Sequence, residues 1–94
     1  MFVIRNVFKC KAGKAKNLID HFKKSMALME DVKHRVLVDY VADFWTVVLE
    51  IETEDIAGYE KQLSDYSSRA DVQEAMTGYM DSVESGHREI FRIA

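Results

Sequence analysis

The chain has no proline and only one cysteine among its 94 residues. Without proline or a low-complexity run there is no linker, so residues 1–94 read as a single domain. A lone cysteine, Cys10, excludes an intrachain disulfide and fits a reducing cytoplasm. No apolar stretch approaches the roughly 18–20 residues that span a bilayer. Arg5 and Lys9 interrupt the N-terminal apolar run, which removes a signal-peptide pattern. The expectation is a cytoplasmic protein without a membrane partner. A net charge of −3 and the lack of any Lys/Arg cluster interleaved with aromatics argue against nucleic acid.

Chemical motifs are also scarce. There is no Ser/His/Asp order, phosphate loop or paired-carboxylate motif. The histidines His21, His34 and His87 lack metal-ligand spacing, and Glu84–His87 would need a helix unbroken by Gly86, so no metal site is expected. Cys10 has no nearby His or acid to activate it.

What is present is ordinary for a soluble globular chain: 48% of residues are apolar and 31% charged,. A chain this short buries roughly 60–65% of its unfolded surface, so association would add to a modest core. Charge is unevenly placed. Residues 1–24 hold seven Lys/Arg and one acid, Asp20; residues 25–94 hold six Lys/Arg and fifteen acids. Either a basic first helix lies near acidic later elements, or a basic rim attracts an anionic ligand.

Periodicity outlines the elements. Residues 2–9 alternate as a strand, and Ala12-Gly13 breaks it. Ala15, Leu18, Ile19, Phe22, Met26 and Met29 recur at helical spacing, predicting an amphipathic helix from about Lys14 to Glu30. Residues 34–41 alternate again, Ala42-Asp43 reads as a hairpin connection, and Trp45, Val47, Leu49 and Ile51 form one apolar face of the next strand. Thr53 is placed to cap a helix marked by Ile56, Tyr59, Leu63 and Tyr66. Ser67-Ser68 interrupts it, and a second helical segment, with Val72, Met76, Tyr79 and Val83 inward, runs to Gly86. Arg88–Ile93 is the last strand. The order β-α-β-β-α-β predicts a ferredoxin-like α+β plait: four antiparallel strands with both helices on one face.

Asn6 stands out on the first strand. Its face reads Phe2, Ile4, Asn6, Phe8, apolar apart from the carboxamide. An unpaired buried carboxamide costs about 1–3 kcal/mol, so Asn6 belongs to a satisfied network or lines a polar spot in an apolar cavity. The opposite sheet face should be polar if solvated. Val3, Val7, Leu37, Val41, Phe44 and Val48 instead alternate there, a patch that a homodimer packed sheet on sheet would bury.

Phe2-Val3-Ile4-Arg5-Asn6-Val7-Phe8, then Lys11-Ala12-Gly13-Lys14 and a helix whose core run ends at Phe22, resembles the opening of the antibiotic-biosynthesis-monooxygenase-like proteins. These belong to the dimeric α+β barrel superfamily. Gly86-His87-Arg88-Glu89-Ile90-Phe91 resembles the closing strand of NIPSNAP-like proteins. The resemblance implies a homodimeric barrel formed through the sheet face. It also implies that Asn6 lines a pocket between sheet and helices. Heme-degrading members carry a tryptophan and a heme-ligating histidine on the second helical segment; Ser67 and Thr77 fall near those positions, so no heme or other cofactor is implied.

Around Asn6, the candidate pocket residues are Trp45, Tyr59, Tyr79 and Gly78. Trp45 reads as a core or dimer anchor or as a wall for an aromatic substrate. The hydroxyls of Tyr59 and Tyr79 are placed to meet Asn6 across a cavity, or else pack with solvated ends. Gly78, costly inside a helix, signals close packing or room for a ligand. Two functions follow. One is cofactor-independent oxidation of a phenolic or quinone-like molecule, with Asn6 hydrogen-bonding the substrate and Arg88 stabilising its anion. The other is a non-catalytic homodimer that binds a small molecule or has a structural role, which the lack of a general base favours.

Overall fold

The computed structural model describes all 94 residues. Its elements are β1 (Phe2–Cys10), α1 (Ala15–Ala27), β2 (His34–Val38), β3 (Thr46–Thr53), α2 (Ile56–Ser67), α3 (Ala70–Ala75) and β4 (Val83–Arg92), with a 3-10 turn at Tyr79–Ser82 before β4. The sheet order is β2-β3-β1-β4, and every neighbouring pair is antiparallel. This is the ferredoxin-like plait that the β-α-β-β-α-β pattern predicts.

Alternation decides which side of the sheet meets the helices. Ile4 lies opposite Ile51 and Phe8 opposite Val47. These residues join Leu18, Phe22 and Met26 of α1 in one core. Leu18 and Val47 are fully buried. The rings of Phe8 and Phe22 stand 5.3 Å apart at 47°, a tilted pairing of the kind aromatic quadrupoles favour. Inside α1, the buried Ser25 hydroxyl donates to Phe22 O at 3.1 Å, so it carries no unpaired donor,. Against Phe8, on β4, lies Gly86. A Cβ there would come within 3.0 Å of Val7 O and 3.2 Å of the Phe8 ring, so glycine is what lets the ring lie over the edge strand.

Three expectations are corrected. First, the helical segment does not reach Gly86: α3 ends at Ala75, Gly78 turns the chain at φ 79°, and β4 begins at Val83 with Gly86 inside it. Only glycine enters that left-handed region at little cost. Second, no two-residue hairpin joins β2 to β3. Residues 39–45 form a loop tied by Thr46 N to Asp39 Oδ1 at 2.9 Å and by Cys10 N to Trp45 O at 2.8 Å. Third, Thr53 does not cap α2; Asp55 holds the cap position without a side-chain bond, while the Thr53 hydroxyl donates to Asp55 O at 3.0 Å.

The second sheet face also differs from the expected apolar patch. Val41 and Phe44 belong to the loop, where they are 89% and 80% exposed. Val48 is already buried, while Val3, Val7 and Leu37 are half-buried. Between the valines runs a cross-strand row of Arg35, Glu50, Arg5 and Glu89. Charges interleave with the valines because each strand presents both kinds of residue on this side.

No helix is long and apolar enough to cross a membrane.

Candidate functional site

An apolar cavity of about 320 Å3 opens between the helices and β3. Leu49 and Ile51 form its floor, Phe22 and Met26 of α1 with Met29 just after it one wall, and Tyr59, Leu63, Val72, Met76 and Tyr79 the other. The sequence builds this gap for a local reason. The α2–α3 layer breaks at Ser68-Arg69 and ends at the Gly78 turn, so it cannot lay one continuous apolar stripe on the sheet. Three methionines fill the walls, and their flexible thioethers adapt to irregular shapes. Ser25, Ser67 and Gln73 are the polar groups on the lining. Gln73 Nε2 donates to Ser67 O at 2.9 Å, across the break between the helices.

Asn6 lies outside this lining, in a second, more open groove of about 350 Å3 with Phe8, Met80, Gly86 and Arg88. Its carboxamide is not orphaned: Arg88 Nε donates to Asn6 Oδ1 at 2.7 Å. The two residues are register partners on β1 and β4. Both face the helix side, where Gly86, Arg88, Ile90 and Arg92 of β4 are all exposed. The helices therefore leave this edge of the sheet uncovered, and Arg88 reaches solvent without a carboxylate partner.

Tyr59 links the two sites. It is buried, and it lines the apolar cavity. Burial pushes its phenol above the usual tyrosine range, and the Arg88 guanidinium opposes that shift. Arg88 is thus close enough for its charge to be felt at the cavity wall.

The other candidates separate. Tyr79 joins Tyr59 on the cavity lining. Gly78 lines a polar depression with Lys14, His21, Lys24 and Asp81. There His21 Nδ1 donates to Ala75 O at 3.0 Å, tying α1 to the end of α3. Trp45 precedes β3 rather than opening it, with φ 63°, a left-handed conformation rare for a bulky residue,. That turn takes it out of the strand alternation, and it stands outside the cavity lining.

Sequence reasoning passed over the clasp beside the cavity. Asp31 accepts from Gln62 Nε2 at 2.6 Å and from the Tyr66 hydroxyl, fixing α2 to the connection between α1 and β2. The Tyr66 hydrogen bond, ahead of that from Gln62, holds the Asp31 carboxyl below its ordinary range. No sequence signal pairs Asp31 with residues so far along the chain. No cluster of His, Cys, Asp and Glu is arranged to hold a metal ion.

No protein-family model and no curated protein matches the sequence. Solved structures match its fold. An uncharacterised NIPSNAP-domain protein from Burkholderia xenovorans superimposes with a TM-score of 0.85 at 13% identity, over 100% of this chain and 95% of its own. A NIPSNAP family protein from Agrobacterium tumefaciens gives 0.82 at 9%, over 99% and 92%. An antibiotic biosynthesis monooxygenase gives 0.72 at 10%, over 100% and 99%. The chain thus has the fold of NIPSNAP-domain and antibiotic-biosynthesis-monooxygenase-like proteins, as its first and last strands suggest. At these identities the likeness carries fold alone.

Proposed function

We propose that this protein binds a small, largely apolar molecule in the cavity between α1, the α2–α3 layer and β3. The observation that carries the reading is the cavity itself. Its volume falls within the range of small-ligand sites, and its lining is mostly apolar with a few polar groups,. Met26, Met29 and Met76 favour a ligand recognised by shape and burial over one held by a fixed hydrogen-bond pattern,. A neutral fluorescent probe, N-phenyl-1-naphthylamine, tests this. Saturable enhancement with wild type, lost in a folded Val72→Phe variant that fills the cavity, is expected. Equal enhancement by both proteins removes the cavity from the reading.

A second reading keeps catalysis. The Arg88–Asn6 pair favours it, because an uncompensated guanidinium beside a carboxamide suits a phenolate,. A bound hydroquinone that gives two electrons and two protons to dioxygen yields a quinone and hydrogen peroxide. Arg88 would stabilise the anion, with Asn6 beside it to orient the ring oxygen,. Oxygen uptake with a panel of hydroquinones, absent in Asn6→Ala and Arg88→Gln, is the expected result; equal uptake by wild type and variants removes the pair from the chemistry.

The protein is further read as a homodimer joined through the open sheet face. Val3, Val7 and Leu37 remain only half-buried there in one chain, and face-to-face sheet packing would cover them. Light scattering on a size-exclusion column at micromolar concentration is expected to give twice the mass of one chain. A clean single-chain mass contradicts it.

A further inference from the structure

We propose that an alternating row of four charges on the open sheet face sets the register in which a second copy of this chain docks. The proposal rests on the homodimer reading above and adds the geometry of the interface.

The row crosses all four strands. Arg35 on β2 lies opposite Glu50 on β3, Glu50 opposite Arg5 on β1, and Arg5 opposite Glu89 on β4. Arg35 Nε donates to Glu50 Oε1 at 2.6 Å. Arg5 Nε stands 3.8 Å from Glu50 Oε2 and 3.9 Å from Glu89 Oε1. Read from β2 to β4 the signs are plus, minus, plus, minus.

Such a row is self-complementary under one kind of symmetry. A twofold axis parallel to the strands, running between β3 and β1, reverses the order of the partner's row. Arg35 then faces the partner's Glu89, and Arg5 faces the partner's Glu50; every charge meets its opposite. The adjoining row, Leu37, Val48, Val7 and His87, reverses too and sets Val7 on the partner's Val48. A twofold across the strands keeps the order and sets like charge on like charge, which an interface avoids. Isologous interfaces have this self-matching property built in, whereas an unrelated partner would need the mirrored row by coincidence.

A second feature of the row agrees. Arg5 Nε is buried, yet it makes no hydrogen bond within its own chain. The reversed row brings the partner's Glu50 over the Arg5 side chain, which is 36% exposed in one chain. Glu50 is already buried in the single chain, so docking adds little desolvation at that carboxylate.

The test uses the ends of the row: Arg35, whose side chain is 66% exposed, and Glu89, at 37%. In Arg35→Glu and in Glu89→Arg, the twofold sets like charges together at both ends of each homodimer. In their equimolar mixture all four pairs are opposite. Sedimentation equilibrium is expected to show wild type as a dimer and each variant associating at least tenfold more weakly. Native mass spectrometry of the mixture should show a heterodimer of restored affinity. Circular dichroism melting verifies that each variant is folded. The neutral variants Arg35→Gln and Glu89→Gln, which place no like charges within the sheet, should weaken association less and gain less on mixing, since their heterodimer regains a single Arg35–Glu89 pair. A dimeric wild type whose charge-reversed variants associate equally well, or fail to complement, overturns the register and leaves the dimer standing. A monomeric wild type overturns both.

Discussion

Arg88 Nε donates a 2.7 Å hydrogen bond to Asn6 Oδ1 across the β1–β4 register, and neither residue touches the apolar cavity a few side chains away. The carboxamide in an apolar stripe is therefore explained by an edge of the sheet that the helices do not cover. A hydrogen bond to a charged group contributes about 1.5–3 kcal/mol in general, but solvent competes for an exposed arginine and reduces it to below about 1 kcal/mol here. Asn6→Leu is expected to change unfolding stability by less than about 1 kcal/mol in urea titrations. Ile4→Ala, two residues away in the core, should cost about 2–5 kcal/mol. A loss above about 3 kcal/mol for Asn6→Leu would contradict its place at an uncovered sheet edge.

Tyr59 reports the coupling between groove and cavity. Its phenol is raised by burial and drawn back by Arg88. Arg88→Gln is thus expected to move it higher still. Because the folded state holds this proton more firmly than the unfolded chain, the stabilisation is present below the ordinary tyrosine value of about 10 and is lost as pH rises through the folded value. Phenolate absorbance during alkaline titration, with Tyr59→Phe as the blank, measures both effects. A Tyr59 titration that Arg88→Gln leaves in place would show that the two do not interact.

Gly78 marks where the α2–α3 layer gives way to the turn that leads into β4. With φ at 79°, an alanine there should cost about 1–2 kcal/mol, or roughly 4–8 °C in Tm per kcal/mol for a domain of this size. Asparagine, which tolerates the left-handed region, should cost less. Differential scanning calorimetry of Gly78→Ala and Gly78→Asn checks the order; an Ala variant as stable as wild type would refute the strain argument.

The plait was legible because its main elements carry clean periods. Phe2, Ile4 and Phe8 alternate, Val47, Leu49 and Ile51 alternate, and Leu18, Phe22 and Met26 keep a helical stripe. The end of the second helical region was not, since Met76, Tyr79 and Val83 hold helical spacing through a turn that only the Gly78 backbone angle reveals. Trp45 continues the alternation of β3 by position yet leaves it by its own φ. The charge row was hidden because Arg35, Glu50, Arg5 and Glu89 become neighbours only when four strands are in register. The cavity was hidden for a related reason: Tyr59 and Tyr79 were legible as inward-facing, but nothing local says that Asn6 is displaced from them toward the sheet edge.

The methionines supply the most direct test of the cavity reading. Met26, Met29 and Met76 line the cavity, Met80 lines the Asn6–Arg88 groove, and Met1 is exposed at the start of the chain. In protein labelled with 13C at the methionine methyls, titration with N-phenyl-1-naphthylamine is predicted to shift the signals of Met26, Met29 and Met76 and to leave Met1 and Met80 in place. Shifts confined to Met80, or no shift at any of the five, would contradict binding in the cavity.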